Sequence, residues 1–183
     1  MGMRKTKYMP SGGLAFYEEK EMKKLSDLAK EGWILEGFAL LGYKLRKGEP
    51  MDIDYSLDYQ KDADDEYFAF FEEAGWSHVC TAGSEIHIFR ASAGTTPIYS
   101  DKPTIIEKYE REKRQMGRAA LPFLISTVFF FLLSLMSHSG WLFESLRPVF
   151  YSIGIVSLAI LVFPGLPYLS YLFKLSKLRK TGL

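Results

Sequence analysis

The sequence predicts an α+β soluble domain followed by a two-helix transmembrane hairpin. The soluble part reads as a duplicated strand-helix-strand-strand unit, with an antiparallel sheet and two helices on one face. Three observations carry this reading: a helix ending that recurs after 43 residues, a stretch that alternates apolar and polar residues, and two long uncharged runs in the last third of the chain.

The recurrence comes first along the chain. In LSDLAKEGW, Leu25, Leu28, Gly32 and Trp33 stand where FAFFEEAGW places Phe68, Phe71, Gly75 and Trp76. Each segment has apolar residues at helical spacing, a glycine able to take the left-handed C-terminal position, and a tryptophan that opens a strand. Strands are expected over Arg4 to Met9, Trp33 to Ala39, Tyr43 to Arg46, Met51 to Tyr59, Trp76 to Thr81 and Glu85 to Arg90. In MDIDYSLDY, Met51, Ile53, Tyr55, Leu57 and Tyr59 alternate with Asp52, Asp54, Ser56 and Asp58, the period of a half-buried strand with one wet, acidic face.

Residues 1–100 form the expected cytosolic domain, and 101–118 a helical stalk capped by Ser100 or Asp101 with Pro103 just inside. Residues 119–173 hold the two spans. Ala119 to Met136 is eighteen residues without a charge, and Val149 to Phe173 is twenty-five. At a rise of about 1.5 Å per residue the shorter run reaches about 27 Å, close to the hydrocarbon thickness of a bilayer. Pro122 falls in the first turn of its span, whereas Pro164 and Pro167 are expected to kink or end the second. Residues 174–183 read as a basic cytosolic tail.

Charge sets the orientation and excludes some functions. Residues 1–100 carry 12 Lys or Arg against 17 Asp or Glu, and residues 101–183 carry 11 against 5. An acidic front part argues against nucleic acid as a partner, because phosphate binding needs clustered lysine and arginine. Arg111, Lys113, Arg114 and Arg118 precede the first span, and Lys174, Lys177, Arg179 and Lys180 follow the second. Both termini are therefore expected in the cytoplasm, the protein sitting in the cell inner membrane with a short outer loop. Trp141, Phe143, Tyr168 and Tyr171 are expected interfacial anchors. The spans contain no ionisable acidic, basic or histidine side chain, so they read as an anchor rather than an ion path.

Candidate chemistry is sparse. A single cysteine, Cys80, excludes an internal disulfide and fits a reducing compartment. A turn centred on Gly83 and Ser84 sets Cys80 opposite His87, a pair able to activate a thiolate, with His78 nearby. Core packing is the preferred reading of that cysteine, since neither an acidic orienter nor an oxyanion loop accompanies it. Asp52, Asp54 and Asp58 have ligand chemistry for calcium, but a solvated strand face explains them as well. The aromatic residues Trp33, Phe38, Tyr43, Tyr55, Tyr59 and Trp76 are candidates to line a cleft between the two units and hold an apolar or cationic ligand. No motif calls for a cofactor or a metal, and no enzyme signature is evident.

In order along the chain, EMKKLSDLAKEGWILEGF, YKLRKGEPMDIDYSLDY, YFAFFEEAGW and IYSDKPTIIEKYER resemble a family catalogued as domain of unknown function 2812. The resemblance covers most of residues 4–114. It implies a bacterial protein with C-terminal transmembrane helices, often encoded near a PadR-type transcriptional regulator, and brings no activity or site residue with it. The expected function is that of a non-enzymatic, membrane-anchored sensing or protein-interaction module, with the lipid bilayer, a protein partner or a small ligand as its contacts and a homo-oligomer as an option. The rivals are an accessory or protective membrane protein acting through its helices, and a thiol enzyme using Cys80.

Overall fold

The computed structural model describes residues 5–98, 102–138 and 144–180. Arg4, the Ser100 or Asp101 cap and the anchors Trp141 and Phe143 lie outside the described residues. The chain divides into two compact units, Met1–Ile105 and Ile106–Leu183.

The first unit runs β1 (Thr6–Pro10), α1 (Leu14–Lys30), β2 (Trp33–Ala39), β3 (Gly42–Lys47), β4 (Ile53–Tyr59), α2 (Asp65–Glu73), β5 (Ser77–Ala82) and β6 (Ile86–Ser92). The expected order of elements is present twice. Its strands form two antiparallel sheets of three, ordered β1-β3-β2 and β4-β6-β5, so in each half the last strand becomes the centre. Helices α1 and α2 stop where a glycine takes positive φ, 80° at Gly32 and 86° at Gly75, a conformation that costs a residue with a Cβ about 1 kcal/mol or more. At the start of α2 the Asp64 carboxylate accepts the Tyr67 backbone N–H at 2.9 Å, satisfying one of the free donors of the first turn.

Two apolar clusters hold this unit together. In the larger, Met22, Leu25, Leu28 and Ala29 of α1 meet Met9, Ile34, Leu35, Tyr43 and Leu45 of one sheet and Ile53, Tyr55, Leu57, Tyr59 and Ile88 of the other. The smaller joins Phe71 of α2 to Trp76, Phe89 and Ala91. Neighbouring residues of β6, Ile88 and Phe89, thus enter different clusters, and because side chains alternate along a strand the second sheet is covered on both faces. This corrects the expected placement of both helices on one face of one sheet: α1 packs on one side of the β4-β6-β5 sheet and α2 on the other. It also limits the wet acidic face expected for MDIDYSLDY, where Asp52 is exposed and Asp54 and Ser56 are half-buried but Asp58 is covered. Asp58 is only 3% exposed, and its carboxylate accepts the Tyr67 hydroxyl at 2.9 Å beneath α2.

The second unit contains most of α3 (Lys102–His138), a short 3-10 turn (Glu144–Leu146) and α4 (Arg147–Lys180). Both helices are long and apolar enough to cross a membrane, and only 11% of the most apolar window of each is buried. A soluble core helix would be mostly covered by protein, whereas these present leucine, valine, isoleucine and phenylalanine outward. Close approach is local: a Cβ on Gly154 would stand 3.2 Å from the Phe131 ring, and the Ser157 hydroxyl donates to the Phe123 carbonyl at 3.1 Å. Pro164 and Pro167 do not end α4, which continues to Lys180. Residues Lys174 to Lys180 are therefore helical: Lys174 Nζ lies 4.8 Å from the Tyr109 ring centroid, Leu175 is buried and Arg179 pairs with Glu110.

Candidate functional site

The six aromatic candidates do not gather in one cleft. Tyr43, Tyr55 and Tyr59 are buried in the larger cluster, against which Trp33 and Phe38 pack, and Trp76 belongs to the smaller one. Phe38 lies 5.5 Å from Tyr43, ring to ring. Trp33 carries Lys7 and Lys47 over its ring, with Nζ atoms 5.3 and 5.0 Å from the centroid. Cation–π contacts of this kind hold exposed lysines against half-buried rings and here occupy the face a cationic ligand would need.

Two of the six, Tyr55 and Trp76, line a groove of about 420 Å³ between α1 and the edge strand β4. The helix contributes Glu19, Lys23, Ser26, Asp27 and Lys30, residues three or four apart that share one face. Beta4 contributes Asp54 to Leu57, and the chain after β6 contributes Thr95 and Pro97. That last segment is held by the Trp76 indole N–H, which donates to the Thr96 carbonyl at 2.9 Å. The strand edge is sealed in one place, where the Tyr55 backbone N–H donates to Ser26 Oγ at 3.1 Å while the same hydroxyl donates to the Met22 carbonyl. A free edge donor is thereby satisfied by the helix rather than by a further strand.

The groove is acidic. Glu18, Glu19, Asp27 and Asp54 line it against Lys23 and Lys30. Both lysines have partners: Lys23 lies 3.7 Å from Asp27, and Lys30 lies 3.1 Å from Asp52, whose hydrogen bond and charge push the ammonium pKa up. Asp54 accepts the Gly94 backbone N–H at 3.2 Å. With Asp58 bound to Tyr67, the three aspartates of MDIDYSLDY face different partners and do not converge as calcium ligands.

A buried polar network lies deeper on α1. The Glu21 carboxylate is 6% exposed and accepts the Ser11 hydroxyl at 2.9 Å, the Gly12 N–H at 2.6 Å and the Tyr43 hydroxyl. Burial and the hydrogen bond to Glu21 hold the Tyr43 phenol far above its usual range. The sequence reasoning passed over Glu21, although one signal was available: with Met22, Leu25 and Leu28 it occupies the spacing of the apolar face.

Cys80 and His87 are not opposite each other. The β5–β6 register runs Ser77 to Arg90 and His78 to Phe89, then Cys80 to Ile88 and Thr81 to His87. The turn holds three residues, Gly83, Ser84 and Glu85, between Ala82 and its partner Ile86, which shifts the pairing beside it by one; a β-bulge at Val79 takes that shift up farther along the strand. Cys80 consequently packs against the larger cluster beside Phe38, and His87 faces α2, its ring 5.4 Å from those of Tyr67 and Phe68. Burial pushes the Cys80 thiol up to about 11, only partly opposed by a hydrogen bond to the Phe38 backbone. Alkylation of Cys80 at pH 8 is expected to run about 100-fold slower than that of an unperturbed thiol, and to accelerate about tenfold per pH unit up to pH 10. Iodoacetamide labelling followed by mass spectrometry measures this; labelling at the rate of free cysteine would contradict the burial.

On the α2 side, Thr81 Oγ1 lies 2.9 Å from both His78 Nε2 and His87 Nδ1, while His87 Nε2 lies 2.9 Å from the Gln60 carbonyl. A carbonyl only accepts, so His87 carries its proton on Nε2. Desolvation, with the neighbouring His87 second, pushes the His78 pKa down.

These features define a small α+β domain with an acidic groove between a helix and a strand edge, in a chain that also has two helices long and apolar enough to cross a membrane. A family model described as Protein of unknown function (DUF2812) matches residues 17–121, more than half of the chain, and the chain belongs to that family. No curated protein and no solved structure matches it.

Proposed function

We propose that this protein is a membrane-anchored cytosolic sensing module whose acidic groove receives a small organic cation. The carrying observation is the lining of the α1–β4 groove, where four carboxylates outnumber two already paired lysines beside the rings of Tyr55 and Trp76. Carboxylates supply the charge suited to an ammonium or guanidinium group, and the largely buried Tyr55 and Trp76 add apolar lining beside it. The basic flanks of the two apolar helices support an arrangement with both termini in the cytoplasm of a bacterial inner membrane. Encoding near PadR-type regulators, which the family resemblance implies, supports a role in a regulated response.

The test is a thermal-shift series on the detergent-solubilised full chain with quaternary ammonium, guanidinium and polyamine probes, set against carboxylate probes of similar size. Cations are expected to raise Tm, and Glu19→Lys to remove most of that rise. A rise with carboxylates alone, or none with any cation, would contradict the reading. Rescue of a deletion phenotype by residues 106–183 alone would favour the accessory role of the helices, and a C-terminal reporter active only outside the cytoplasm would reverse the topology.

A further inference from the structure

A second groove, of about 690 Å³, runs between α3 and α4. Its walls are apolar: Leu121 and Leu124 stand on α3, and Leu158, Leu161 and Val162 on α4. Gly165 keeps it open. A Cβ there would meet nothing closer than Leu161 at 3.9 Å, so a larger side chain fits without a clash and takes up groove space instead. By contrast a Cβ on Gly117, at the arginine end, would lie 3.1 Å from the Tyr168 ring, which fixes the two helices close together there.

At that end stand Arg114 and Arg118, one helical turn apart and therefore on one face. Both are exposed, and neither has an ion pair or hydrogen bond among the described residues. Their situation differs from that of other cations of the hairpin, where Arg179 is paired with Glu110 and Lys174 lies over the rings of Tyr109 and Tyr171. Two guanidinium groups free to turn toward one oxyanion, at the mouth of a slot lined by leucine, match one amphiphile. The planar forks bind phosphate oxygens in pairs, and the slot takes a hydrocarbon chain.

We infer that the α3–α4 groove is a binding site for an anionic phospholipid, its phosphate held by Arg114 and Arg118 and one acyl chain lying past Gly165. The inference rests on the reading of α3 and α4 as membrane-spanning. In a bilayer the chain gains little from leaving water, because it is already in hydrocarbon, so discrimination comes from the headgroup charge and from packing in the slot.

The experiment reconstitutes the full chain into vesicles of mixed phosphatidylglycerol and phosphatidylcholine. The protein is re-extracted in mild detergent, and the lipids retained are counted by native mass spectrometry. One phosphatidylglycerol per chain is expected, with a preference over phosphatidylcholine of about tenfold that the Arg114→Gln, Arg118→Gln double variant abolishes. Gly165→Leu is expected to reduce retention of either lipid with both arginines intact, whereas Lys180→Gln leaves the preference unchanged. Equal retention of the two lipids, or a preference that survives loss of both arginines, would overturn the inference and leave the spanning helices standing. A chain that never enters the vesicles would overturn both.

Discussion

Phe89→Ala is expected to lower the unfolding free energy of the α+β domain by about 3–5 kcal/mol, the range for truncating a buried aromatic residue. Phe89 is fully buried, with the Phe71 ring 4.3 Å away and those of His78, Tyr67 and Phe68 at 5.6, 6.0 and 6.3 Å. The smaller cluster has few other buried members, so little can collapse into the space. Urea unfolding of the full chain in detergent, followed by tryptophan fluorescence, reads the effect because Trp76 lies in the same cluster. Ile88→Val, one residue away on the opposite face, is expected to cost about 0.5–1.5 kcal/mol. A loss below that at Phe89 would mean that α2 contributes little to the stability of the domain.

Glu21→Ala should cost about 3 kcal/mol or more, since it leaves the Tyr43 hydroxyl, the Ser11 hydroxyl and the Gly12 N–H without their shared acceptor in a buried place. The double variant Glu21→Leu, Tyr43→Phe separates this cause from simple loss of volume. Replacing carboxylate and phenol together by apolar groups of similar shape removes one of the three stranded donors, the most deeply buried, so the pair is expected to recover part of the loss. Equal losses in the single and double variants would show that the network contributes nothing of its own. The same network predicts an alkaline limit. The folded-state pKa of Tyr43 is raised above its unfolded value near 10, so the unfolded chain releases its proton first and stability falls as pH rises through that value. Tyr55 is shifted in the same direction by burial and adds to the slope. In Tyr43→Phe the decline above pH 10 should be shallower.

Local signals gave much of the fold. Beta2 runs over the expected Trp33–Ala39, and Gly32 and Gly75 close their helices as their spacing implied. In β4 the apolar members Ile53, Tyr55, Leu57 and Tyr59 are all buried. What failed was information that no single strand contains. Alternation identifies one covered face of β4 but says nothing about the other, and α2 covers part of that one, taking Asp58 out of water. Counting outward from Gly83 and Ser84 assumed a two-residue turn, whereas Ala82 pairs with Ile86 across three residues. The candidate site was legible only in pieces. Tyr55 and Trp76 were among the expected residues, yet Glu19, Lys23, Asp27 and Lys30 have the i, i+4 charges of any solvated helix face. Their meeting with the edge of β4 depends on a sheet order with no local signature.

At Val79 the strand β5 carries one residue more than its partner β6. His78 and Thr81 are three positions apart, and in an unbroken strand such residues project to opposite sides. Here one hydroxyl reaches both imidazoles, so the inserted residue acts as a reading-frame change within the strand. Excising Val79 would leave His78 and Thr81 two positions apart in a regular strand and still on one side, so the shared hydroxyl would keep both imidazoles and only the packing of Val79 against the larger cluster would be lost.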